Sequence, residues 1–399
     1  MEGGDPYGPG DLEQRRGTPG PLDNREARGR GACRLCRPAG RQHRTDPAGP
    51  HLASGRDRDS SRFGQAKQGP DRGHPECRWA PAALERNRTG RAGQPARTHR
   101  TDLVSMTAPR FAGIDAGGTS FKLAVASDLD TVHAETRIPT TTPEETLDRV
   151  GRWLAEQGPL ARVGLGAFGP VGIAPGANHG RLFVTPKPGW SGIDLLAPLA
   201  RHIDAPIALD TDVNAAALAE QRRGAGQGVE SFAYVTIGTG VGLGLIVGGR
   251  MARSLLHPEA GHILVPHHPA RGRFPGVCGL HGSCVEGMVC SAAIEALWGA
   301  GPDSLPDEHP AWEMAGHYLG HLAFNAVMVA GADRVVLGGG IGTRPILATH
   351  VTSTLDQLVG GYSAITEARG GVEQMVRTAA LGPRAGMLGA LLLAMDAAA

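Results

Sequence analysis

A short apolar strand followed directly by a cluster of glycines occurs three times in this chain of 399 residues. The first strand, residues 111–114, leads through Asp-Ala-Gly-Gly-Thr into a second apolar strand, residues 121–126. Residues 231–237 lead through Gly-Thr-Gly-Val-Gly-Leu-Gly into another strand, and residues 334–337 end at Gly-Gly-Gly-Ile-Gly. A P-loop or a dinucleotide-binding site would pass from its strand into a helix, so the first two patterns predict β-hairpins. Three such loops together predict two lobes that hold one nucleotide between them.

These loops supply the candidate nucleotide-binding residues. Adjacent glycines allow backbone N–H groups to approach phosphate oxygens, and a threonine hydroxyl beside them adds a donor. Asp115 ends the first strand, where a carboxylate can hold Mg²⁺ directly or through water. The predicted set comprises the loop residues and one lysine of the second strand: Asp115, Gly117, Gly118, Thr119, Lys122, Gly238, Thr239, Gly240, Gly338, Gly339 and Gly340.

A cluster of polar side chains follows a further apolar strand, residues 205–209. Asp210-Thr211-Asp212-Val213-Asn214 leads there into an alanine-rich segment that predicts a helix over residues 215–223. One aspartate at such a position is explained by helix capping, but two aspartates and an asparagine exceed what a cap needs. Phosphoryl transfer to a hydroxyl needs a carboxylate close to the accepting oxygen. We therefore expect Asp212 and Asn214 to face the cleft between the lobes.

Cysteine and histidine side chains concentrate in one glycine-rich segment, residues 257–290. Cys278-x-x-His281-x-x-Cys284 places three ligands within seven residues, and an earlier histidine can complete a tetrahedron around Zn²⁺. A single cysteine or histidine is more often a core residue, whereas this cluster predicts a zinc site. We expect the zinc to be structural, because its ligands lie apart from the phosphate-binding loops in the sequence.

The order of these motifs resembles the ROK family (repressor, open reading frame, kinase) of the actin-like ATPase superfamily. The resemblance covers residues 111–395 and is closest to the zinc-containing bacterial fructokinase branch. It implies an α/β actin-like ATPase (ribonuclease H-like) fold with one lobe at residues 106–222 and another at residues 223–399. It also implies an ATP-dependent hexose kinase that uses Mg²⁺, contains Zn²⁺ and forms a homodimer.

The resemblance also assigns roles to individual residues. The aspartate of an Asp-x-Asn motif takes the proton from the sugar hydroxyl in ROK kinases, and this role falls to Asp212. Asn214, Glu259, His262 and Glu286 are implied to contact the sugar, and His262 is also implied to be a zinc ligand.

The identity of the fourth zinc ligand stays open at this point. The segment between His262 and Cys278 is longer than in most relatives, so His267 and His268 compete with His262. The family loop is usually Cys-x-Cys-x-x-x-x-Cys, and the Cys-x-x-His-x-x-Cys variant found here is similar to the fructokinase branch.

The sugar is predicted from two features that resemble the fructokinases. One is the variant zinc loop, and the other is Thr-Pro-Lys-Pro-Gly-Trp at residues 185–190, where glucokinases of the family have an asparagine near the tryptophan. D-Fructose is therefore the predicted substrate and fructose 6-phosphate the product. A glucokinase or another hexose kinase is one alternative, since a single hydroxyl contact can decide the preference. A sugar-responsive transcriptional repressor of the same family is the other.

Residues 1–105 differ sharply from the rest in composition. They contain 20 Lys+Arg against 13 Asp+Glu, and only 11 residues are Ile, Leu, Val, Phe, Met, Trp or Tyr. Such a segment cannot bury enough apolar surface to offset its ordering entropy. We expect it to be disordered or to precede a true start at Met106, and it lacks the periodicity of a helix-turn-helix, so no nucleic-acid partner is predicted.

The sequence also excludes several other classes of protein. No run of 18 apolar residues is present to span a membrane, and the N-terminus lacks the apolar stretch of a signal peptide. Six cysteines are too few for a disulfide scaffold. A cytoplasmic enzyme without a membrane partner is therefore expected.

Overall fold

The computed structural model describes residues 108–253 and 255–397. The prediction made for residues 1–105 lies outside the described residues. Two five-stranded sheets form the framework of the described residues. In each sheet the central strand pairs antiparallel with the next strand of its hairpin on one side and parallel with another strand on the other side.

The first sheet has the strand order β3-β2-β1-β4-β5. β1 pairs antiparallel with β2 and parallel with β4, and β4 pairs parallel with β5. β1 and β4 are almost entirely buried, which explains why they are nearly continuous apolar runs. The strands are β1 (Phe111–Ala116), β2 (Ser120–Ala126), β3 (Val132–Pro139), β4 (Arg162–Ala167) and β5 (Ile207–Thr211).

The second sheet repeats this topology with the order β10-β9-β6-β7-β8. β6 pairs antiparallel with β7 and parallel with β9, as β1 does with β2 and β4. The predicted hairpins and the predicted actin-like α/β fold are therefore confirmed. The strands are β6 (Phe232–Ile237), β7 (Val241–Val247), β8 (Arg250–Met251), β9 (Arg334–Gly338) and β10 (Val376–Thr378).

Ten α-helices connect and cover the sheets in the described part of the chain. They are α1 (Pro143–Glu156), α2 (Leu196–Ala200), α3 (Asp212–Arg223), α4 (Val285–Val289), α5 (Ser291–Trp298), α6 (Pro310–Ala330), α7 (Gly339–Gly342), α8 (Pro345–Val359), α9 (Ser363–Arg369) and α10 (Ala385–Asp396). α6 packs on α8 and contributes much of the core of the second sheet. None of these helices in residues 108–253 and 255–397 is both long and apolar enough to cross a membrane.

Two helices, α3 and α10, pack against each other and hold the central part of the molecule together. Their contact depends on glycine, since a Cβ atom at Gly389 would lie 1.8 Å from the Ala215 carbonyl oxygen. α10 also lies on β1 and β4, where a Cβ atom at Gly164 would lie 1.9 Å from the Ala390 carbonyl oxygen. α3 contacts β7 through Gly244, so it touches both sheets. The predicted lobe boundary after residue 222 falls in the last turn of α3 and stays a prediction.

Candidate active site

The parallel strands of the first sheet bring their carboxyl ends to one edge. Asp115 of β1, Gly166 of β4 and Asp210 of β5 are register neighbours. Asp212 follows directly as the first residue of α3, because Thr211 caps the helix by accepting the Asn214 N–H at 3.1 Å. Ligands of open α/β sheets bind at this edge. The helix begins three residues earlier than the sequence predicts, which fixes Asp212 on the rigid first turn.

A cavity of about 400 Å³ opens at this edge. Asp115, Lys122 and Asp212 line it from the first sheet and α3, while Gly339 and Gly340 line it from the second sheet. The structure thus brings together predicted residues that are more than 200 positions apart in the sequence. A space between two lobes with carboxylates, a lysine and open backbone is suited to a phosphorylated ligand.

Asp212 is the most perturbed carboxyl group of this cavity. The withdrawal of its side chain from water raises its pKa to about 7, and the charges of Asp115 and Glu259 act in the same direction. The Val213 N–H, 2.8 Å from Asp212 Oδ1, opposes the shift. A carboxylate whose pKa lies near neutrality accepts and releases a proton readily, as a general base must.

Asp115 and Lys122 face each other across the β1–β2 hairpin. Lys122 Nζ lies 3.0 Å from Asp115 Oδ2 and 3.3 Å from the Pro383 carbonyl oxygen. Asp115 and Asp212 present two carboxylates to one cavity, and their mutual repulsion is the kind that a divalent cation relieves. The donor set therefore fits Mg²⁺ accompanying a nucleotide, with Lys122 available to a phosphate.

The glycine-rich loops have different relations to the cavity. Gly339 adopts φ +80° at the start of α7, and a Cβ atom there would lie 2.4 Å from the Ile237 carbonyl oxygen, so only glycine fits. The second loop lies beside the third, since a Cβ atom at Gly238 would lie 4.0 Å from Gly340 N. Gly118 and Thr119 are exposed at the tip of the first hairpin. Gly117, Gly118, Thr119, Gly238, Thr239, Gly240 and Gly338 are not among the residues that line the cavity, and their predicted role stays a prediction.

Sequence reasoning missed part of the cavity wall. Tyr234, Thr236 and Thr343 line it, as do Gly382, Pro383, Ala385 and Gly386. A Cβ atom at Gly386 would lie 2.7 Å from the Asp115 carboxyl carbon, so α10 approaches Asp115 closely only because this residue is glycine. The Gly-Pro-Arg-Ala-Gly sequence that opens α10 was the available signal.

Asn214 lies behind Asp212 rather than on the cavity surface. Its side chain is fully buried, and its Nδ2 donates a hydrogen bond to Asp210 Oδ1 at 2.6 Å. Asp210 also pairs with Arg253, whose Nη1 lies 2.8 Å from Oδ2. Within the described residues, Asn214 Oδ1 has no hydrogen-bond partner. A direct contact of Asn214 with sugar stays a prediction.

A second group of predicted residues, which includes Glu259 and Glu286, lies on the side of the second sheet. Glu259 is close enough to Asp212 for its charge to raise the pKa of Asp212. The turn that follows Glu259 packs on β7 through Gly261, where a Cβ atom would lie 2.0 Å from the Val241 carbonyl oxygen. Glu286 Oε2 accepts the Val241 N–H at 3.0 Å, which ties this carboxylate to the second glycine loop.

The predicted zinc ligands converge in the structure. The ligand atoms of His262, Cys278, His281 and Cys284 all lie within 4.8 Å of one another. His262 Nδ1 lies 3.7 Å from Cys278 Sγ and 3.6 Å from Cys284 Sγ, and His281 Nδ1 lies 3.8 Å from Cys278 Sγ. Tetrahedral Zn²⁺ with ordinary bond lengths would place nitrogen and sulfur about 3.6 Å apart. The geometry fits zinc, with His262 rather than His267 or His268 in the group.

His262 links this cluster to the candidate sugar side. Its Nδ1 lies 4.0 Å from Glu286 Oε1, and Glu286 lies in the first turn of α4, which Cys284 caps. Burial raises the pKa of the Cys284 thiol to about 11, so a metal would have to displace its proton on binding. His268 lies elsewhere, with its ring 5.2 Å from that of His317.

The segment at residues 185–190 packs against the connection between β3 and α1. Trp190 is fully buried, and its Nε1 donates to the Thr141 carbonyl oxygen at 3.0 Å. Its ring packs edge-to-face on Phe168, with 5.4 Å between the ring centres. Lys187 Nζ donates to the Thr140 carbonyl oxygen at 3.2 Å, so this lysine holds two loops together.

Comparisons with known proteins agree with this arrangement. The chain is 34% identical over 292 residues to a fructokinase of Zymomonas mobilis, covering 71% of this chain and 96% of that protein. It is 26% identical to a glucokinase of Halalkalibacterium halodurans, covering 70% and 93% of the two chains. The crystal structure of a ROK hexokinase from Thermus thermophilus superposes with a TM-score of 0.54 at 29% identity, covering 72% of this chain and 99% of that one.

The family model that describes the ROK family matches residues 111–397, which is nearly the whole described part of the chain. Its match spans both sheets, the cavity between them and the Cys/His cluster. The chain belongs to the ROK family.

Proposed function

We propose that this chain is an ATP-dependent hexose kinase and that D-fructose, phosphorylated to fructose 6-phosphate, is its substrate. The observation that carries the proposal is Asp212, a carboxylate with a pKa near 7 at the edge of a cavity that also holds Asp115, Lys122 and an open glycine loop. The relatives named fructokinase and hexokinase support the same reaction.

In this proposal, Asp212 accepts the proton of the sugar hydroxyl as that oxygen forms a bond to the γ-phosphorus of ATP. The bond between the γ-phosphorus and the bridging oxygen breaks in the same step, and ADP leaves with the electron pair. Lys122 compensates negative charge on the phosphates, and Asp115 would hold the Mg²⁺ that the nucleotide brings. Asp212 must be ionised to accept the proton. Once it is ionised, the negative charges that raise its pKa also make it a stronger base.

Zinc would supply stability and not chemistry. Bound by His262, Cys278, His281 and Cys284, it would fix the loop that carries Glu259 and Glu286 against β7. These two carboxylates are the proposed sugar contacts from the second lobe.

Fructose is favoured over glucose by the identities of the relatives. The fructokinase of Zymomonas mobilis is 34% identical to this chain and the glucokinase of Halalkalibacterium halodurans 26%. The Thr-Pro-Lys-Pro-Gly-Trp segment, which resembles the fructokinases rather than the glucokinases of the family, points the same way. A single hydroxyl contact decides such a preference, so it must be measured.

The test is ADP release by the purified chain with ATP, Mg²⁺ and either fructose, glucose or mannose. We expect kcat/KM to be highest with fructose, and the product to be identified as the 6-phosphate by its reaction with phosphoglucose isomerase. A higher kcat/KM with glucose than with fructose would show that glucose, and not fructose, is the preferred substrate. Absence of ADP release with every sugar, from a folded protein, would leave the sugar-binding repressor as the better reading.

A further inference from the structure

His257 is a buried histidine with two different polar environments. Its residue surface is 8% exposed, and it lies two residues before Glu259 in a loop of the second lobe. Nδ1 lies 3.4 Å from Glu259 Oε1. Nε2 is buried without a hydrogen-bond partner in the part of the chain that the structure describes.

The edge of the ring that carries Nε2 faces the first lobe. A Cβ atom at Gly169 would lie 3.4 Å from His257 Cε1 and 3.5 Å from Nε2. Gly169 follows β4 by two residues, and β4 ends beside β1 and β5 at the edge where Asp212 stands. The side chain therefore spans the distance from the loop after β4 to Glu259.

Packing alone does not account for a histidine in this place. A buried nitrogen without a partner costs about 1–3 kcal/mol, and an apolar side chain of similar size would fill the same space without that cost. What histidine adds is Nδ1, which faces a carboxylate that is otherwise half exposed, with 45% of its side-chain surface accessible. Without such a partner, a glutamate at that exposure would sample several rotamers.

We propose that His257 is a positioning residue: its Nδ1 holds the Glu259 carboxylate in the orientation that binds the sugar, while its ring rests on the Gly169 loop. This inference rests on the proposed function, because it takes Glu259 as a sugar contact. Glu259 also contributes to the raised pKa of Asp212, so this carboxylate lies close enough to the proposed base for its charge to act there.

Two substitutions separate the nitrogens of the ring. His257→Asn places an amide group where Nδ1 lies and has no polar group where Nε2 lies. His257→Gln does the reverse: its amide group lies where Nε2 lies, and no polar group replaces Nδ1. His133→Asn, on the exposed face of β3, is the matched control. Sugar binding is measured by calorimetry without ATP, and KM and kcat are measured with the hexose that the parent enzyme uses best.

We expect His257→Gln to raise the KM and the dissociation constant for sugar about tenfold, the effect of one lost contact to a charged group. Its KM for ATP should stay within about twofold, and kcat should change less than KM, as for lost ground-state binding. His257→Asn should stay within about threefold of the parent for sugar, which a merely structural role would not predict.

Equal loss in both variants, or loss in His257→Asn alone, would overturn the positioning role of Nδ1, and so would unchanged sugar binding in His257→Gln. These outcomes leave the proposed kinase intact, because the parent enzyme still phosphorylates its hexose. A parent protein that neither binds nor phosphorylates any hexose would overturn the proposed function and this inference with it.

Discussion

Replacing Asp212 by asparagine is expected to remove most of the turnover and, at neutral pH, to stabilise the folded protein. Asparagine retains an oxygen that can accept the Val213 N–H but carries no charge. It therefore loses the ability to take a proton, which lowers kcat by about 10²–10⁴-fold. It also relieves the folded state of a charge that burial, Asp115 and Glu259 all disfavour.

The magnitude follows from the pKa of Asp212, which rises from an ordinary 3.8 to about 7 on folding. That difference corresponds to about 4 kcal/mol of lost stability once the group is ionised in both states. The folded state binds the proton more tightly, so the parent is unaffected below about pH 4 and loses stability as the pH rises to about 7. The Asp212→Asn variant does not titrate here and keeps its stability.

Urea denaturation of the parent and the variant at about pH 4.5, 6 and 8 measures the difference. We expect the advantage of the variant to grow with pH and to reach a plateau above about pH 7.5. Asp204→Asn, a change at a residue that the cavity does not include, is the control. A variant no more stable than the parent at pH 8 would refute the argument that Asp212 is held at an elevated pKa.

Four further experiments test the candidate site and the N-terminal segment. In the parent, kcat/KM should rise with pH toward about pH 7, because Asp212 acts only when ionised; a flat profile between about pH 5.5 and 8 would contradict this role. Cys278→Ser should lose the metal, melt at lower temperature and bind sugar more weakly while ATP binding survives, and metal analysis of the parent below about 0.2 Zn per chain would refute the site. Glu220→Gln should cost about 1–3 kcal/mol and raise the KM for ATP, because its carboxylate accepts the N–H groups of Ala225, Ala380 and Leu381, whereas exposed Glu230→Gln should change neither. Deletion of residues 1–105 should leave activity and melting temperature unchanged, and a large loss of either would show that this segment contributes to the fold.

Much of this site could be predicted from sequence because its parts are local. The β1–β2 hairpin, the Asp-x-Asn motif at Asp212 and the Cys278–Cys284 motif are each formed by a few consecutive residues. The residue types within each motif indicate its chemistry. Helix capping by Thr211 is also local, but the sequence does not reveal it. The apolar residues predict a strand that ends at residue 209, whereas the strand continues to Thr211 and the helix begins directly after it. The structure was needed to choose His262 over His267 and His268, because the length of the loop does not decide which imidazole ring faces the cysteines.

The remaining parts depend on residues distant in sequence. Glu220 accepts a backbone hydrogen bond from a loop 160 positions away in the sequence. Gly386, in the first turn of α10, has no side chain and so allows that helix to approach Asp115. A lone buried glutamate in an alanine-rich helix, or a glycine in the first turn of an apolar helix, belongs to no sequence pattern that identifies its partner. The contact of His257 with the Gly169 loop is of the same kind.

α3 explains how these distant parts act as one site. Its first residue is Asp212, and near its last turn Glu220 binds the backbone just before Gly382 and Pro383, which line the cavity. Lys122 donates to the Pro383 carbonyl oxygen and pairs with Asp115, so the same wall continues to the first hairpin. The proposed base and the cavity wall at Gly382 and Pro383 are thus fixed to one helix. Glu259, by contrast, comes from the loop before the Cys/His cluster. The distance between the proposed base and the proposed sugar contact therefore depends on how that loop is held, which is where His257 and the candidate metal ligands would act.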